Sequence, residues 1–268
     1  MSLKYALLAT EGPQDQAVIC RLLRLLGLEI FKGDRKFLSE DQFKFWKRLI
    51  PDSSANIYKR LDMQMPRIFT SSTHSVAIYQ GQGSSLPQNL SDIIHNYDPY
   101  AQDIDALGLI VDADNSQPSK IAKKYADALR VYFPMISEIP GTITTGIPRT
   151  GIYVLPDNVR QGTLDSILVD CAANVYPDHK AGAEGFLSSL DAAHKSHWKP
   201  FDHEKAIVAT IVSVIQPGIA SRLSLARAKD RWICEQTKNN VPEVADLYNF
   251  IRDPLELPIT EAVVSPAS

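Results

Sequence analysis

Ala106-Leu107-Gly108-Leu109-Ile110-Val111-Asp112-Ala113-Asp114 is a short, continuously apolar run that ends in two aspartates one residue apart. A run of this length with no polar alternation is the pattern of a strand buried on both faces. Ser119 then stands where a helix cap belongs, and the apolar spacing through Ala126 and Leu129 towards Val131 predicts a helix.

The same unit recurs on either side. Tyr5 to Thr10 is an apolar run stopped by Glu11-Gly12-Pro13, and Asp15 to Leu28 carries apolar residues at helical spacing. Ser75 to Tyr79 runs into Gln80-Gly81-Gln82-Gly83 and a predicted helix from Gln88 to Ile94; Gly151 to Leu155 ends at Pro156-Asp157-Asn158 before a helix from Leu164 to Cys171. Buried strands each followed by a helix predict an α/β fold with a central parallel sheet flanked by helices. Ligand sites in such sheets lie off the carboxyl ends of the strands. The residues at those ends are Glu11, Gly81, Gly83, Asp112, Asp114 and Asp157, so the acidic side chains are expected to converge.

Two aspartates separated by one residue after a buried strand suit a shared hard cation, and Glu11 would be the third carboxylate. Carboxylates held close together repel one another, and without a cation at least one takes up a proton. A solvated turn or helix cap is the ordinary reading of a lone Asp-x-Asp. Here the motif is accompanied by Glu11, Asp157 and Asp165 at other strand ends, which favours the metal site.

The chain has 268 residues, 44% hydrophobic and 22% charged, with 28 Lys+Arg against 31 Asp+Glu for a formal charge of −3. That size supports a core without disulfides or a structural metal. The near-neutral balance excludes the broad positive field of a non-specific nucleic-acid coat, so any such contact is local or metal-mediated. Cys20, Cys171 and Cys234 form no CxxC pair, which fits a reduced, cytoplasmic setting. Glu11 interrupts the first apolar run, which argues against a secretory leader. No run approaches the roughly 18–20 apolar residues of a membrane span.

An insertion from Phe31 to His74 carries nine basic residues (Lys32, Arg35, Lys36, Lys44, Lys47, Arg48, Lys59, Arg60, Arg67) against five acidic ones. Phe43, Phe45, Trp46 and Tyr58 are interleaved, a composition compatible with stacking on bases. The more ordinary reading is that clustered aromatics pack a helix onto the core. From Asp178 the pattern is helical, with Lys205 to Val214 the best periodic stretch and Ser221 to Trp232 a further candidate. The tail, 256–268, has no periodicity and is expected to be frayed. His194, His197 and His203 lack helical spacing and read as surface residues; Gly81 and Gly83 lack the third glycine of a dinucleotide fingerprint and suit a close backbone approach beside the acids.

Thr10-Glu11-Gly12-Pro13-Gln14-Asp15 after one strand and Leu109-Ile110-Val111-Asp112-Ala113-Asp114 after a later one resemble the Toprim domain shared by topoisomerases, primases, and the OLD and RecR-type proteins. Leu155-Pro156-Asp157-Asn158, Gly162-Thr163-Leu164-Asp165 and Lys205-Ala206 bring the likeness closer to a small prokaryotic Toprim-like family of unknown function related to the OLD nucleases. The resemblance covers most of residues 4–252. It implies a single Toprim/Rossmann-like domain over 1–255, with the insertion at 31–74 and a helical extension at 178–255. It also implies metal-dependent chemistry at a nucleic-acid phosphodiester, DNA or RNA. Glu11 takes the role of general acid/base or metal ligand, Asp112 and Asp114 bind Mg²⁺ (or Mn²⁺), and Asp15 matches a further acid of the OLD-like branch. That branch usually has glutamate where this chain has Asp165, whose side chain reaches about 1.5 Å less. Water-mediated ligation is what the shorter group supports.

On this reading Glu11, Asp112 and Asp114 hold one or two ions, Asp15, Asp157 or Asp165 completes a second position, and Lys205 neutralises charge on the transition state. A catalytically weak Toprim module that binds nucleic acid or a partner protein is the alternative, and self-association is compatible with either. An acidic α/β phosphatase or phosphotransferase is a further one, although that chemistry places its aspartate pair on the first strand.

Overall fold

The four apolar runs become four adjacent parallel strands. The computed structural model describes residues 3–31, 40–46, 49, 66–96 and 102–258. In chain order the strands are β1 (Lys4–Thr10), β2 (Glu29–Ile30), β3 (Arg67–Thr70), β4 (His74–Gln80), β5 (Ala106–Asp112) and β6 (Arg149–Leu155), and they lie in the order β2-β3-β4-β1-β5-β6. β4, β1, β5 and β6 are parallel, whereas β3 runs antiparallel to both neighbours. The two short strands β2 and β3 lie in or beside the insertion and were not legible in the sequence, because neither is long enough to show a periodicity.

The helices are α1 (Pro13–Leu25), α2 (Glu40–Trp46), α3 (Leu86–His95), α4 (Pro118–Leu129), α5 (Leu164–Val175), α6 (Pro177–Ser189), α7 (Ala192–Lys195), α8 (Asp202–Ile215), α9 (Ser221–Leu225), α10 (Glu235–Asn240) and α11 (Pro242–Arg252). Alternate strand residues feed two cores on opposite faces of the sheet. Ala6, Leu8, Ile110, Tyr153 and Leu155 face α1, α5, α8 and α11. Leu7, Ala9, Leu107, Leu109 and Val111 face α3 and α4.

Several helix boundaries differ from expectation for local reasons. α1 stops at Leu25 rather than Leu28, because Gly27 turns the chain at φ 82° and the Leu28 N–H returns 3.0 Å to the Leu23 carbonyl. α4 starts at Pro118, which has no N–H to leave unpaired, so Ser119 lies inside the helix instead of capping it. The candidate helix from Ser221 to Trp232 breaks after Leu225. There the Asp230 carboxylate accepts from the Ser224 hydroxyl at 2.9 Å and the Gln216 amide at 3.2 Å.

Phe45 and Trp46 serve packing. The Phe45 ring stacks on Tyr5 with centroids 4.0 Å apart, and the buried Trp46 indole donates to the Ser75 hydroxyl at 2.9 Å. Tyr58 and most of the basic residues of the insertion lie outside the described residues. Glu256 is anchored, not frayed: it pairs with Lys4 at 2.5 Å and with Arg149. Residues 259–268 of the expected tail are outside the described set.

The helical C-terminal part is seated on the sheet by a hollow. Gly108 and Gly151 are direct partners on β5 and β6, and the Phe250 ring of α11 sits against both. A Cβ on Gly151 would lie 2.9 Å from Phe250 Cε2 and 3.2 Å from Ile143 Cγ1. Gly151→Ala is expected to lower stability by about 1–3 kcal/mol through overpacking, read as a lower urea midpoint. An unchanged midpoint would mean the ring is free to tilt away.

Candidate functional site

The sheet changes its winding between β1 and β5. The helix after β1, α1, covers one face, while α4 after β5 covers the other. In sheets wound this way ligands bind off the carboxyl ends of the strands at the point where the winding changes, and Glu11 and Asp112 stand at that point.

α1 and α5 both begin at this edge. Asp15, in the first turn of α1, accepts the Gly12 N–H at 2.7 Å. Asp112 Oδ1 accepts the Leu164 N–H, the first of α5, at 2.9 Å, and Asp165 follows in the same turn. Asp114 adopts a left-handed backbone at φ 48° and bridges to Gly162, its N–H donating at 2.8 Å and its carbonyl accepting at 3.1 Å. Part of what a helix cap would do is thus done by the same acids.

These carboxylates act on one another. Burial pushes the Asp15 carboxyl up to about 7; the Gly12 N–H opposes this, and the charges of Glu11 and Asp165 add to it. Asp112 is raised well above the usual range by burial and by Asp15, Glu11 and Asp114, against the Leu164 N–H. Glu11 is raised by burial and Asp114, although the Tyr125 hydroxyl, donating at 2.7 Å, and the Lys124 charge oppose it. Asp165 is raised to about 6 by burial and Glu204, with Lys205 opposing. Asp15 and Asp165 are buried, Glu11 and Asp112 half-buried and Asp114 exposed, so the five acids meet at an edge that is only partly shielded from water.

The field is shared, but the oxygens are not gathered. Among the described residues no three or more His, Cys, Asp or Glu are placed together to hold a metal ion. The expectation that Glu11, Asp112 and Asp114 already enclose one ion is therefore not met. The reason lies in register: Thr10 is opposite Ile110, so Glu11 and Asp112 are offset by one residue. A one-residue offset points side chains to opposite faces. Glu11 leans to Tyr125 on α4, and Asp112 leans to α5. The donor set still fits a magnesium ion in kind, since such ions keep several waters and often take only one or two carboxylates.

Asp157 stands outside the group. Its carboxylate accepts the N–H groups of Val159 at 2.9 Å and Arg160 at 2.7 Å and pairs with the Arg160 guanidinium, which also reaches Glu243 at 2.6 Å. Partial burial pushes this carboxyl up, yet those donors outweigh it and hold it below the usual range. Lys205 pairs with Asp202 at 3.6 Å while its charge reaches Asp165. His194, His197 and His203 are exposed. The Gly81 N–H donates to the Thr10 carbonyl and the Gly83 N–H to the Glu11 carbonyl, both at 2.9 Å. What comes close to Gly81 is Leu86, whose Cδ1 would lie 2.2 Å from an added Cβ.

Tyr125, Lys124 and Glu204 belong to the site and were not singled out from the sequence. Tyr125 is hidden in the apolar stripe Ala122-Tyr125-Ala126-Leu129, so its hydroxyl gave no signal of its own.

No helix among the described residues is long and apolar enough to cross a membrane. No curated protein matches the chain. Among solved structures, the hypothetical protein PH0156 from Pyrococcus horikoshii OT3 is similar at 13% identity, with 95% of this chain and 98% of that one covered at a TM-score of 0.52, which is a likeness of fold. Residues 5–255 match the family described as "Protein of unknown function (DUF3226)", and the chain belongs to that family.

Proposed function

We propose that this protein is a metal-dependent enzyme of nucleic-acid phosphodiester bonds, with a Toprim-like site formed by Glu11, Asp112 and Asp114 and supported by Asp15 and Asp165. The observation that carries the reading is the convergence of Glu11, Asp15, Asp112 and Asp165, each raised by burial, with Asp114 acting on Glu11 and Asp112, at the carboxyl ends of β1 and β5. Such a group stores repulsion that either protons or a divalent cation relieves. A bound Mg²⁺ or Mn²⁺ supplies Lewis acidity towards a phosphate oxygen and lowers the pKa of a water. Asp112 and Asp114 would hold it, with Glu11 on the neighbouring strand contributing its charge from the other side of the sheet edge. Tyr125 orients Glu11 through its 2.7 Å hydrogen bond. Lys205, at the start of α8, supplies positive charge beside Asp165.

The test is a panel of labelled single- and double-stranded DNA and RNA with Mg²⁺, Mn²⁺ or chelator. Cutting of at least one substrate is expected with either ion and none with chelator. No cutting of any substrate would contradict an enzyme. A module that binds the cation and nucleic acid without turnover is the second reading. It is favoured by the offset of Glu11 from Asp112, and calorimetric Mg²⁺ binding without cleavage would establish it.

A further inference from the structure

The charges of α4 are distributed unevenly. Lys123 is engaged by Asp127 at 3.2 Å and Glu138 at 3.4 Å, and Arg130 shares the same two acids. Lys120 and Lys124, one turn apart, are exposed, and neither forms an ion pair with a carboxylate among the described residues. Their placement opposes helix stability twice. Lys120 sits in the first turn, which has no acidic residue and where the helix dipole disfavours a cation. Like charges four residues apart also repel. Local rules broken with no ion pair to offset them are expected where a surface serves a ligand.

Lys124 is also tied to the acidic edge. Its Nζ lies 5.6 Å from the ring centre of Tyr125, the residue whose hydroxyl holds Glu11, and its charge acts on Glu11. α4 packs on the face of Leu7 and Leu107, whereas α8, which carries Lys205, packs on the opposite face with Ala6 and Leu8. The acids thus lie between cations on the two sides of the sheet.

Resting on the phosphodiester reading, we infer that Lys120 and Lys124 form a phosphate-binding ridge that carries the nucleic-acid backbone across the carboxyl edge of the sheet, from α4 on one face towards Lys205 on the other. The ridge binds backbone phosphates next to the reacting one and reads no base.

The experiment measures binding of a labelled mixed-sequence duplex by the full chain over a salt series, with Ca²⁺ replacing Mg²⁺. Each phosphate contact contributes about 0.9 to the slope of log affinity against log salt on duplex DNA. The expected result for K120Q/K124Q is a slope flatter by about 2, at least about tenfold weaker binding at low salt, and a Tm unchanged or slightly raised. K123Q, whose charge is already engaged, should keep the wild-type slope. A wild-type slope in K120Q/K124Q, with wild-type protein binding normally, overturns the ridge and leaves the enzymatic reading intact. Failure of the wild type to bind this duplex, or single-stranded DNA or RNA of the same sequence measured alongside it, at any salt overturns both.

Discussion

Asp112→Asn is expected to lower metal-dependent cleavage by at least about 100-fold, the scale of removing one group that stabilises charge in a transition state, while leaving the fold intact. The amide keeps an oxygen at the position of Oδ1, which accepts the Leu164 N–H at 2.9 Å. Only the charge is lost. Asp112→Ala removes both, and an unpaired N–H at the start of α5 adds about 1–3 kcal/mol of destabilisation. Comparing the two by thermal melting and single-turnover cleavage separates capping from chemistry. If the asparagine variant cleaves as well as wild type, Asp112 is a cap and nothing more.

Stability is also expected to depend on pH. The Asp15 carboxyl is raised from 3.8 to about 7 in the folded chain, so between those values the folded state holds more protons than the unfolded state. The stability contributed by this group therefore falls as pH rises through that window. A cation at this edge reverses the loss. With chelator, the protein is expected to melt lower at pH 8 than near pH 5, and Mg²⁺ should raise Tm at pH 8 far more than near pH 5. Asp15→Asn retains an acceptor for Gly12 without the charge. It is expected to gain at least about 1 kcal/mol at pH 8 in chelator, a Tm rise of roughly 2–4 °C, and to lose part of the response to Mg²⁺. A variant that melts below wild type under those conditions would show that the ionised carboxylate stabilises the helix start more than repulsion destabilises it.

Much of the fold was written in four apolar runs, because a strand buried on both faces tolerates no polar residue along its length. Leu107, Leu109 and Val111 serve one core and Ala106 and Ile110 the other. β2 and β3 were illegible for the converse reason: at two and four residues they are held by neighbours rather than by a pattern of their own. In the site, the strand-end position of Glu11, Asp112 and Asp114 was legible, and so was their electrostatic conflict. Their relative facing was not, because it depends on the pairing of Thr10 with Ile110, which no local pattern records. Asp157 misled for a related reason: Arg160, three residues on, claims it.

The acids at the carboxyl ends of β1 and β5 are expected to form a divalent-cation site. Titration calorimetry of Mg²⁺ or Mn²⁺ into the wild type at pH 7, in buffers of different ionisation heat, tests it most directly. Burial pushes the Asp15 carboxyl up to about 7, so at pH 7 this group is in part protonated and a cation that enters is expected to displace protons from it. The predicted result is saturable binding accompanied by proton release, with the binding lost in Asp112→Asn. No saturable heat in the wild type, or binding undiminished in that variant, would contradict the claim.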